Sequence, residues 1–179
     1  MNNLPTYTTK QERSPYKLQY FFESVGTKSI IKVIEYAVID IIGNRSVFNL
    51  GFGDYDEITG TVLDDVTSNN GDMYTVFNTV LTTIPEFFSV FPNAVIMVGG
   101  SDSHIEFRNS CKLTCTKKCD DDCKNGKRRI RIYRYYVDSN FEDLCVDYIF
   151  FGRNKDTSNT FVQYIPNVDY DEILVYKKN

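Results

Sequence analysis

The chain has 179 residues, of which 42% are hydrophobic, 15% aromatic and 25% charged, with a formal net charge of −4 and a pI near 5.0. That composition excludes a disordered chain and suffices for one domain with a substantial core. The acidic balance excludes a surface that is basic throughout, so a nucleic-acid site has to be a local patch.

Residues 1–15 are polar and read as a flexible arm ahead of a single domain over 16–179. The arm lacks the apolar run of a secretory signal. Nowhere does the chain approach the roughly 20 apolar residues that span a bilayer. The expectation is a cytoplasmic protein with no membrane partner, in a compartment where thiols stay reduced. An odd number of cysteines, five, fits poorly with a secreted fold stapled by disulfides.

From Lys17 to Val25, Leu18, Tyr20 and Phe22 alternate with Gln19 and Glu23, the pattern of a half-buried strand. Gly26-Thr27-Lys28 is a turn, and the Ile/Val-rich stretch Ser29–Ile42 reads as a second strand, bounded by Gly43-Asn44. Arg45–Gly53 reads as a third strand. Its Gly51 and Gly53 mark close approach by another element. Asp54–Gly60 is a turn, and Thr61–Val66 a short fourth strand.

Ser68-Asn69-Asn70-Gly71-Asp72 combines a turn pair with a helix-capping aspartate. After it, Met73, Val76, Phe77, Val80, Leu81, Ile84, Phe88 and Phe91 fall on one helical face. The spacing predicts a long amphipathic helix over Asp72–Phe91 that kinks or breaks at Pro85. Ala94–Val98 reads as a short apolar strand, Cys145–Gly152 as another and Glu172–Lys178 as the last. Arg128–Val137 fits either a helix or a strand.

Cys111, Cys115, Cys119 and Cys123 recur every four residues. On one straight helix such a stripe spans about 18 Å, too far for four thiolates to share an ion. A single zinc site requires the segment to fold back, with Asp120-Asp121-Asp122 and Asn125-Gly126 as the places to bend. Disulfides and plain free thiols are the competing readings.

The basic run Lys124, Lys127, Arg128, Arg129, Arg131 and Arg134 is interleaved with Tyr133, Tyr135 and Tyr136. Guanidinium groups grip phosphates and tyrosines offer stacking faces to bases, so this is the chain's main hint of an anionic partner. The competing reading is a solvated helix face paired with Asp138, Glu142 and Asp143. Three weaker features sit beside it. The Gly99-Gly100-Ser101-Asp102 loop holds an anion only if a helix begins there. His104, the only histidine, reads as a surface residue and not as a catalyst. Asp54-Asp56-Glu57 with Asp64 and Asp65 lack calcium-loop spacing and read as a solvated hairpin tip.

Leu50-Gly51-Phe52-Gly53-Asp54, followed by Gly60 and Ser68-Asn69-Asn70-Gly71-Asp72, resembles a family of small Bacteroidota proteins of unknown function. Members run N-F-x-F-G-D, a turn, S-N-N-G-D and a long helix, then a strand ending in Gly-Ser and a stretch close to R-T-R-L-Y. Here Gly100-Ser101 and Arg129-Ile130-Arg131-Ile132-Tyr133 match the last two, separated by about 25 residues that hold the clustered cysteines. The resemblance implies that 129–137 is helical and that about 103–127 is an insertion. It also implies that Ser101, Arg129, Arg131 and Tyr133 come together as an anion site. It implies no activity.

The expected fold is therefore α+β. An antiparallel sheet from an N-terminal strand meander is packed by one long amphipathic helix, with a second, shorter helix and a cysteine-containing insertion. The expected function is a non-enzymatic module that binds nucleic acid or a protein partner through Ser101, Arg128, Arg129, Arg131, Tyr133 and Arg134. One alternative is a small ribonuclease-like enzyme using Tyr133 or His104 for proton transfer, though no general base is evident. Another is a structural domain that pairs with copies of itself through its aromatic load.

Overall fold

The computed structural model describes residues 5–63, 70–100, 102, 105–115, 117, 119, 123–154 and 160–178. The fold is α+β and divides into two compact units, Met1–Ala94 and Val95–Asn179.

The first unit is an antiparallel meander of β1 (Lys10–Ser14), β2 (Lys17–Val25), β3 (Ser29–Ile42), β4 (Arg45–Asp56) and β5 (Thr61–Leu63). β1 lies within the stretch read as an arm. Its five residues are all exposed and three are charged, which suits an edge strand that must not recruit another chain. Along β2, Leu18, Tyr20, Phe22 and Ser24 point to the buried side. The β3–β4 hairpin turns at Gly43, whose φ of +63° lies in the left-handed region that glycine adopts without strain. At Gly53 an added Cβ would fall 2.5 Å from the Leu63 carbonyl oxygen, so glycine is what lets β5 close on β4. At Gly51 a Cβ would meet only Asn49 Nδ2 at 3.6 Å, an ordinary contact.

The long helix α1 (Met73–Val90) runs through Pro85 without ending. Pro85 is exposed, on the solvent side. The buried residues are Val76, Thr79, Val80, Thr83, Phe87 and Phe88. The Phe87 ring stacks on Tyr36 of β3 at 4.4 Å and meets Phe48 of β4 edge-on at 5.0 Å. Thr79 and Thr83 are tolerated on this face because their hydroxyls donate back to the Thr75 and Val80 carbonyls. Thr83 Oγ1 also shares a 2.8 Å hydrogen bond with the Tyr36 hydroxyl.

In the second unit β6 (Val95–Gly99), β7 (Tyr148–Arg153), β8 (Val162–Gln163) and β9 (Glu172–Lys177) form antiparallel pairs in the order β6-β9-β7-β8. Three helices accompany them: α2 (Ile105–Thr114), α3 (Arg128–Ser139) and α4 (Phe141–Asp147). Thus 128–139 is helical, the cysteine-bearing stretch contains a helix of its own, and the second shorter helix is joined by a third and a fourth. Cys145 and Val146, read as strand, close α4 instead; the apolar run becomes a strand only at Tyr148. α3 lies against β6 and buries Ile130, Tyr133 and Val137. Gly152 admits the Tyr170 ring: a Cβ there would sit 2.4 Å from Tyr170 Cδ1.

Candidate functional site

α2 ends between Cys111 and Cys115, so the four cysteines do not form a stripe on one helix. Cys111 lies in the last turn of α2. Cys115 follows its end, and Cys119 and Cys123 precede the turn at 124–127. Cys115 Sγ and Cys119 Sγ are 3.3 Å apart. Cys111 meets the thiols of Cys115 and Cys123, and Cys123 meets those of Cys111 and Cys119. The four sulfurs close a ring, and all four are free thiols.

Each sulfur also receives an N–H donor. Asn125 Nδ2 donates to Cys111 Sγ at 3.3 Å and lies 3.6 Å from Cys115 Sγ. The Lys124 amide donates to Cys119 Sγ at 3.2 Å, the Lys117 amide to Cys115 and the Asn125 amide to Cys123, while the Gly126 amide donates to the Cys123 carbonyl at 2.8 Å. The proton affinities alternate around the ring. The Lys117 amide, seconded by the Cys119 thiol, holds Cys115 below the usual thiol range. Burial opposes the Cys123 thiolate, but the Asn125 and Gly126 amides and the neighbouring thiols outweigh it and lower its pKa. Asn125 favours the Cys111 thiolate, yet the Cys123 and Cys115 thiols together with burial push Cys111 up. The Cys115 thiol pushes Cys119 up. Among the described residues no group of three or more His, Cys, Asp or Glu side chains is placed to hold a metal ion as it stands.

The turn after Cys123 leads into α3. Lys127 caps it in the left-handed conformation, φ 57°, and pairs with Asp171 Oδ1 at 2.7 Å. The buried Asp102 carboxylate accepts the amides of Arg128 at 2.6 Å and Arg129 at 3.2 Å. Asp102, at the end of the Gly99–Asp102 loop, thus supplies an anion itself, and the amides that receive it belong to α3. Asp102→Ala is expected to lower stability by about 2 kcal/mol, since a cap and two charge-assisted bonds go together. Urea denaturation followed by circular dichroism measures this, and a loss below about 0.5 kcal/mol would exclude the capping role.

The predicted anion-site residues divide by direction. Tyr133 is 7% exposed, so its ring offers no face for a base to stack on, and burial raises its pKa far above the ordinary tyrosine value. Arg134 is ion-paired with Asp169. Arg131 is exposed and donates one guanidinium N–H to the Gly126 carbonyl at 2.9 Å. Arg128 is exposed and Arg129 half-buried. Tyr135, 75% exposed, is the aromatic that faces out. Ser101 and His104 lie outside the described residues, as do Asp64, Asp65 and Asp120–Asp122.

The first unit holds a polar cluster that the sequence reading missed. Lys32 of β3 and Asp54 of β4 are register partners, and both are buried, with Nζ 2.5 Å from Oδ1. Asp54, read as part of a solvated tip, is thus an interior residue; Asp56 is the turn residue, accepting the Ile58 and Thr59 amides. Asp72, read as a helix cap, makes no side-chain cap bond. Its Oδ2 accepts the hydroxyls of Tyr7 at 2.8 Å and Ser24 at 2.6 Å. Burial opposes the Asp72 carboxylate, but those two hydroxyls hold its pKa below the ordinary value. Asn70 ties the β2–β3 turn to the same point through Ser24 and Lys28, and Gly26 is bare so that Asn70 can approach: a Cβ there would sit 2.7 Å from it. The one available signal was the lone lysine in Ile30-Ile31-Lys32-Val33-Ile34.

Residues 3–106 match the model of a family of unknown function. No curated protein and no solved structure matches the chain. The matched residues include the Lys32–Asp54 pair and Asp72, and they stop short of the cysteines and α3.

Proposed function

The chain belongs to that family, DUF6934, which carries no known activity, and from this premise we propose that its function lies beyond the family-matched part, as a nucleic-acid-binding module. The exposed face of α3 carries the binding, through Arg128, Arg131 and Tyr135 with Lys124 just ahead of it. The observation that supports this reading is the segregation of charge. Residues 105–137 contain ten Lys or Arg (108, 112, 117, 118, 124, 127, 128, 129, 131, 134) against four Asp or Glu (106, 120, 121, 122). They are net +6 in a chain of −4, which leaves −10 for everything else. A stretch that basic in an acidic chain suits a polyanion.

On α3 the buried side is Ile130, Tyr133 and Val137, which turns Arg128, Arg131 and Tyr135 outward together. Two guanidinium groups for phosphates beside one tyrosine face for a base is the combination that single-stranded nucleic acid uses. The burial of Tyr133 counts against one of the two proton-transfer residues, Tyr133 and His104, of the ribonuclease alternative, which favours binding without cleavage.

Fluorescence anisotropy with single-stranded RNA and DNA across a salt series tests it. Arg128→Ala/Arg131→Ala is expected to weaken binding about tenfold or more and to flatten the log–log salt slope by about 1.4, two phosphate contacts' worth. Tyr135→Ala is expected to weaken it by roughly fivefold or more with the slope unchanged. Salt-independent binding, or none, overturns the reading and leaves a protein partner for the same face.

A further inference from the structure

We propose that Cys111, Cys115, Cys119 and Cys123 bind one zinc ion as a closed tetrahedral four-thiolate site, which fixes the segment between α2 and α3. Three observations carry this. The first is convergence: α2 stops at Thr114, and thiols spaced four apart in sequence meet one another beyond it.

The second is scale. Tetrahedral zinc with sulfur at about 2.3 Å sets its ligands about 3.8 Å apart along each edge. The Cys115–Cys119 separation is 3.3 Å, so the thiol ring opens by only about half an ångström on that edge to accept the ion. A cubane iron–sulfur cluster holds its four thiolates much farther apart, and sulfurs in contact fit a single ion. Four soft sulfurs with no oxygen or nitrogen ligand select zinc over magnesium or calcium.

The third is the direction of the surrounding donors. A structural thiol needs no donor, yet the Lys117, Lys124 and Asn125 amides and the Asn125 side chain all aim N–H groups at these sulfurs. Such donors stabilise negative charge, and zinc-bound thiolates carry it. Zinc entry releases the thiol protons to solvent and leaves a site of charge −2. The exposed Lys117 lies close enough to act on Cys115 and offset part of that charge. The site is independent of the nucleic-acid reading: Arg128→Ala/Arg131→Ala is expected to keep its zinc in full.

The full chain, expressed with added zinc and purified under reductant, is expected to contain one zinc per chain by atomic emission. Four cysteines should resist alkylation until a strong chelator is added, as mapped by mass spectrometry. Cobalt exchanged into the site should give the intense thiolate-to-metal bands of tetrahedral coordination. Cys115→Ser/Cys123→Ser is expected to retain less than a tenth of the zinc. Should that variant not fold, Asn125→Ala keeps all four ligands and is expected to lose zinc to a chelator roughly tenfold more readily. Little zinc in the wild-type chain with all thiols freely alkylated overturns the proposal. So does an intact mass showing disulfides, or an iron–sulfur absorption spectrum.

Discussion

Asp54→Ala is expected to lower the unfolding free energy by about 3–5 kcal/mol, because it strands the Lys32 ammonium in the β3–β4 sheet. Lys32 is 5% exposed and Asp54 8%, and the two are cross-strand register partners. Water cannot replace the lost carboxylate at so closed a position, and the nearby Asp72 already accepts two hydroxyls. Removing both charges at once is a different experiment. Lys32→Met/Asp54→Leu keeps the volume and leaves no unpaired ion, so its stability is expected within about 1–2 kcal/mol of the wild type. Urea denaturation of both variants, followed by circular dichroism, checks this. If the single variant proved no worse than the double, the ion pair would not be what holds these strands in register.

The two units differ in how much of them could be read in advance, and the reason is physical. Leu18, Tyr20 and Phe22 announce β2 because one face is buried and the other wet, and period two survives in the residue names. α3 remained ambiguous because its run mixes Ile, Arg and Tyr at a spacing that both periods accommodate. Packing of Ile130, Tyr133 and Val137 decides it. Asp72 and Asp102 show a further limit. The first stands where a helix cap belongs and instead accepts bonds from β2 and from Tyr7; the second caps a helix 26 residues further on. Hydrogen bonds between such distant residues leave no periodic trace. The cysteines lie between these cases. Their spacing stated what a shared site would require, and the point where α2 ends, Thr114, could not be read from it. The outward tyrosine was open to the same error: Tyr133 and Tyr135 are equal in sequence, and the helix buries one while exposing the other.

Phe87→Ala is expected to destabilise the first unit by about 3–5 kcal/mol, the range for truncating a large aromatic in a closed core. Phe87 is fully buried, with ring centroids 4.4 Å from Tyr36, 5.0 Å from Phe48 and 5.3 Å from both Phe88 and Phe91. Phe87 does not belong to the apolar stripe that the spacing picks out, whereas Met73 does, and Met73 is 53% exposed. The stripe is displaced because Thr79 and Thr83, polar by name, hide their hydroxyls against the helix carbonyls and so count as core. Met73→Ala is accordingly expected to change stability by no more than about 0.5 kcal/mol. The pair of variants separates the two faces of α1 cleanly. A large loss at Met73 with a small one at Phe87 would mean that the helix is seated by its apolar spacing. The opposite result means that aromatic contacts with β3 and β4, and the back-bonded threonines beside them, set its rotation.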